Sequence, residues 1–164
     1  MKKFIILLII IVVFISLFLM IPKKEQMNSS IEGNTAKQPI KIEPNRYVDI
    51  QCAMTLESEK FAAEAISPSG KTWFFDDVGC MILWLENKDF KDQATLWVHT
   101  EDSNRWIDAK KAFYTLTDST PMHYGFGARE FKKDGMVDFK TMRLKMIRGE
   151  NLKNPKIRKK LLGY

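Results

Sequence analysis

Apolar and polar positions divide the chain into three regimes. Residues 4–21 are almost unbroken apolar, interrupted only by Ser16. A helix over that run would be roughly 27 Å long at about 1.5 Å per residue, slightly short of a hydrocarbon core of about 30 Å. Pro22 follows as a stop, and Lys2, Lys3, Lys23 and Lys24 flank the run. The pattern predicts a single-pass transmembrane anchor over residues 1–22. A cleaved signal peptide is the alternative, but its apolar region is shorter and ends in a small-x-small site, and no Ala-x-Ala follows here. Residues 23–46 are mostly polar, carry Pro39 and Pro44, and show no sustained apolar period. They are expected to form a flexible linker.

Shorter periods begin at Tyr47. Tyr47, Val48 and Ile50 lead into Cys52. Residues 61–66 read as a strand or a short helix, Ser67-Pro-Ser-Gly70 as a turn, and residues 72–75 as a strand, which together predict a hairpin. Asp76 or Asp77 caps the helix that follows. In that helix Val78, Met81, Ile82 and Leu85 recur at i, i+3, i+4 and i+7, a core-facing stripe. Residues 94–99 form a strong strand pattern. The second half repeats the order more weakly from Trp106, with strands at 112–117 and 124–130, a short helical turn at 131–134 and a strand at 136–139. A helix over 140–148 follows. The expected class is α+β, two small strand-strand-helix-strand units behind an N-terminal transmembrane helix. No internal repeat proves a duplication.

Charge changes the picture only at the end of the chain. The net charge is +6, yet residues 140–164 hold nine basic residues and one acid, Glu150, so residues 1–139 sum to −2. A basic tail of this kind suits anionic lipid, nucleic acid or an acidic partner, and equally a solvated helix with a frayed end. Nucleic acid is a poor partner for an exported domain. There is no Ser/His/Asp motif and no glycine-rich phosphate loop, and two histidines with two cysteines leave little for an enzyme. Asp76 and Asp77 read better as a helix start than as a catalytic carboxylate pair.

Candidate chemistry lies in Gln51-Cys-Ala-Met-Thr55. A thiolate and a thioether two positions apart leave the same face of an extended segment, so Cys52 and Met54 could reach one ion. Soft sulfur ligands prefer Cu(I). A small buried thiol and a gap-filling methionine explain the same residues without a metal. Cys80, 28 positions after Cys52, could remain free, pair with Cys52, or supply another sulfur.

The ordered set Cys52-Ala-Met54, Ala63-Glu-Ala-Ile66, Gly70, Phe75-Asp-Asp77, Trp97-Val98, Trp106-Ile-Asp108-Ala109, Ala112, Pro121-Met122 and Gly125-Phe-Gly-Ala128 resembles the NosL-type family, the accessory proteins of nitrous oxide reductase. The resemblance covers roughly residues 47–139 and leaves 140–164 as a basic C-terminal helix or tail. It implies a copper chaperone in the inner membrane, its folded domain facing the periplasm, that passes Cu(I) to an apo-cuproenzyme, with nitrous oxide reductase the implied recipient. It also implies that Cys52 and Met54 hold the copper and that Met122 adds a third ligand. Three features depart from the pattern. A transmembrane run stands in place of a lipid-bearing cysteine, His123 follows Met122 where many relatives have glycine, and the basic tail is not a dependable feature of the family. His123 adds a candidate nitrogen ligand.

Overall fold

In the computed structural model the chain is described over residues 27–163, together with Ile11 and Ser16. The predicted anchor at residues 1–22 therefore lies outside the described residues, apart from those two. Among the described residues no helix is long and apolar enough to cross a membrane.

The fold is α+β. Five strands, β1 (Ser30–Ile31), β2 (Ala63–Ile66), β3 (Thr72–Phe75), β4 (Thr95–His99) and β5 (Trp106–Asp108), form one antiparallel sheet in the order β1-β3-β2-β4-β5. Helix α1 (Val78–Leu85) connects β3 to β4. Three short strands, β6 (Phe113–Tyr114), β7 (Ala128–Arg129) and β8 (Val137–Asp138), form a second antiparallel sheet in the order β7-β6-β8. Helices α2 (Phe139–Ile147) and α3 (Pro155–Leu162) follow.

The predicted hairpin is β2–β3, in register from Ala63 opposite Phe75 to Ile66 opposite Thr72. Its turn closes through the Gly70 N–H on the Ser67 carbonyl at 3.0 Å. Gly70 has φ +88, and a Cβ there would also run into the Asn34 backbone, so two constraints select glycine. Alternation along β3 sends Trp73 and Phe75 to the main core and Phe74 to a second, smaller one. Both faces of β2 are covered, and all four of its residues are buried.

The expected flexible linker does not hold over residues 27–46: Ser30–Ile31 form the edge strand β1, and the stretch that follows lies along the sheet as a strap. The Ile40 N–H donates to both carboxylate oxygens of Glu64 at 3.1 Å. The Trp97 indole N–H donates to the Lys37 carbonyl at 2.9 Å, and the Asn34 N–H to the Gly70 carbonyl at 2.9 Å. Ile31, Ile40 and Ile42 pack with Tyr47, Leu56, Ala62 and Phe74 in the smaller core. A strap touches its sheet at irregular intervals, so its apolar residues show no helix or strand period.

Three further expectations change. Residues 131–134 form no helix, and Phe131 stands 61% exposed. The second half runs strand, strand, strand, helix, and β5 joins the first sheet. Helix α1 is buried nearly all round rather than along one stripe. Seven of its eight residues are buried, because α2 brings Met142 and Met146 into the same core and the Tyr124 ring sits where a Cβ on Gly79 would be.

Candidate metal centre

The Cys52 segment is a turn, not a strand. The Asp49 N–H donates to the Met54 carbonyl at 2.8 Å and the Ala53 N–H to the Asp49 carbonyl at 2.9 Å. Ala53 takes φ +63, a left-handed conformation that costs a residue with a Cβ about 1–2 kcal/mol. The reason given for pairing Cys52 with Met54, alternation in an extended segment, is thereby overturned. Cys52 packs partly buried against the main core, whereas Met54 is 43% exposed.

Asp49 holds this turn. Its Oδ1 accepts the Gln51 N–H at 2.6 Å and the Cys52 N–H at 3.1 Å, while its Oδ2 accepts the Asp76 N–H at 3.0 Å. One fully buried carboxylate thus fastens the Cys52 turn to the end of β3. Asp77 caps α1, as predicted for this pair of acids, accepting the Gly79 N–H at 2.8 Å. Its other oxygen accepts the Met122 N–H at 3.2 Å, which anchors the Pro121–Met122 loop beside the helix start. Asp76 is left one residue before the cap and Cys80 lies in the first turn of the helix.

This arrangement gathers Asp49, Cys52, Asp76 and Cys80. One ligand atom from each lies within 4.8 Å of all the others. Both cysteines are free thiols. The Cys52 Sγ lies 3.6 Å from Asp76 Oδ1, and Asp76 Oδ2 is buried with no hydrogen-bond partner.

Burial and mutual repulsion load the cluster with protons. Burial pushes the Cys52 thiol up to about 12, and the charges of Asp49 and Asp76 add to the rise. Cys80 is raised as well, by burial first and then by Asp49, Cys52 and the neighbouring aspartates. Burial and the adjoining Asp49 carboxylate push Asp76 up to about 7. A cation removes the repulsion that makes these groups hold protons, so metal uptake and proton release are linked.

Met54, Asp76, Pro121 and His123 line an open cleft of about 450 Å³ over the cluster. Met122 packs against the main core, as Cys52 does. Of the residues singled out from sequence, Cys52 stands in the cluster, Met54 and His123 stand at the cleft, and Met122 is tied by its backbone to the helix cap. Asp49 and Asp76 were not expected there, and Cys80 was one of three open possibilities. The nearest signal was local: Asp76 and Cys80 are four residues apart around a helix start. Nothing local pointed to Asp49.

No family model, curated protein or solved structure matches the chain. The functional reading therefore rests on the geometry of this site and on the motif resemblance.

Proposed function

We propose that this protein is a membrane-tethered Cu(I) carrier whose metal sits at Cys52 and Cys80. The observation that carries the reading is the convergence of two free thiols from separate stretches of chain. Two sulfurs with few further ligands suit Cu(I) and leave room for a recipient's ligand to attack. Met54 from the cleft and Met122 from its place against the main core add candidate thioethers, and His123 a nitrogen. Copper then passes by ligand exchange to an apo-cuproenzyme facing the periplasm. The motif resemblance makes nitrous oxide reductase the first recipient to test, and the apolar run at residues 4–21 supports placement in the inner membrane.

The test is anaerobic Cu(I) titration of the full chain in detergent micelles against a chromophoric chelator. Cys52→Ser and Cys80→Ser should each weaken binding on the order of 100-fold or more, beyond what loss of an outer-shell group costs. Met54→Ala and Met122→Ala should weaken it less. A Cys52→Ser protein that binds as tightly as wild type sinks the assignment. Storage of copper without delivery is the second reading, favoured by the complete burial of Cys80. Transfer to an apo-enzyme separates the two.

A further inference from the structure

Building on the carrier reading, we infer that Asp76 is a metal ligand that lets the same centre take Zn(II), and that it sets the balance between Zn(II) and Cu(I). The two aspartates of the cluster are not equivalent. Asp49 already accepts three backbone N–H groups with its two oxygens, so it positions the turn. Asp76 is 7% exposed, its Oδ1 lies 3.6 Å from the Cys52 Sγ, and its Oδ2 accepts from no N–H or hydroxyl, the neighbouring carboxyl being that of Asp49. A buried carboxylate oxygen without a donor is costly, and a cation is the partner that the surrounding sulfurs and carboxylates would also favour.

The donor set then comprises two sulfurs and one oxygen, and its oxygen donor, Asp76, lines the same cleft as His123. Zn(II) is held four-coordinate by this mixture of cysteine sulfur and carboxylate oxygen, with water or imidazole completing the shell. Cu(I) selects soft sulfur ligands and gains little from a carboxylate. Once its ligands give up their protons to a bound ion, the cluster is anionic and favours a divalent over a monovalent ion. Asp76 therefore contributes to one ion and not the other.

The experiment titrates the reduced full chain in micelles with Zn(II) and, separately, with Cu(I), each against a chromophoric chelator. Wild type should bind one Zn(II). Asp76→Asn should weaken Zn(II) at least about tenfold while moving Cu(I) less than about threefold, and Cys52→Ser should weaken both. An Asp76→Asn protein that loses both ions by the same factor overturns the inference. So does wild type that binds Cu(I) but not Zn(II), a result that leaves the carrier reading standing. Binding of Zn(II) alone removes the carrier reading and the balance with it, leaving the Zn(II) ligand role of Asp76 to be decided by the Asp76→Asn loss, and binding of neither removes both. If Asp76→Asn fails to fold, X-ray absorption on Zn(II)-loaded wild type decides. The expected shell has sulfur at about 2.3 Å and oxygen or nitrogen at about 2.0 Å, and an all-sulfur shell overturns the inference.

Discussion

Asp49 shows how one side chain can fasten two distant stretches of chain together. Removing its carboxylate leaves the N–H groups of Gln51, Cys52 and Asp76 without their acceptor, near groups that are themselves buried. Hydrogen bonds to charged acceptors contribute about 1.5–3 kcal/mol each, with losses that do not simply add. Asp49→Ala should therefore destabilise the fold by about 3 kcal/mol or more in urea unfolding, and weaken metal binding by freeing the Cys52 turn. Unchanged stability would show that water replaces the carboxylate. Backbone strain gathers in the same place. Ala53, Phe61 and His123 all have positive φ, and Phe61 and His123 both line the cleft. A residue with a Cβ keeps such a conformation only where its surroundings dictate it.

The strap is the element with the clearest pH signature. Glu64 is buried on the strap side of the sheet, and burial pushes its carboxyl up to about 8 from an ordinary value of 4.5, against the lowering by the Ile40 N–H. A folded-state value above the unfolded one means the folded chain holds the extra proton between those limits. The stability linked to Glu64 is then complete below about pH 4.5 and is lost as pH rises through about 8. Glu64→Gln should remove that decline and leave the variant more stable than wild type above about pH 8, as read from urea midpoints across a pH series. Parallel midpoint curves for the two proteins would show that folding does not shift the Glu64 carboxyl. Helix α1 serves the site in a different way. Its cap, Asp77, orients both the first turn that carries Cys80 and the loop that carries Met122.

At the scale of the whole molecule, the sheet is a layer with α1 on one side and the strap on the other. A chain beginning at Tyr47 would lose Ile31, Ile40 and Ile42 from the smaller core and uncover Phe74. Full burial of one such side chain, as at Ile42, is worth about 1.5–3 kcal/mol, the half-buried Ile31 and Ile40 add less, and a domain's net stability is only about 5–15 kcal/mol. Compared with residues 27–164, residues 47–164 should unfold at a markedly lower urea concentration or show no cooperative transition. Equal midpoints would mean that the strap contributes nothing. The basic C-terminal stretch joins the same body through α2 and Leu152, while α3 buries none of its residues. Asp138 caps α2, accepting the Thr141 N–H at 2.7 Å, and Arg143 donates to Glu86 beyond the end of α1 at 2.7 Å. By itself the sequence determined what local periods and caps can encode. These are the β2–β3 hairpin with its glycine turn, the α1 stripe of Val78, Met81, Ile82 and Leu85 behind a cap at Asp76 or Asp77, and the softness of Cys52 as a ligand. Only the tertiary structure decided that residues 27–46 are a strap, that Cys52 faces Cys80, and that Asp49 and Asp76 join them. Those contacts link positions far apart in the chain through single hydrogen bonds and packed side chains. They impose no period on the sequence between them, and without a period they leave no local trace.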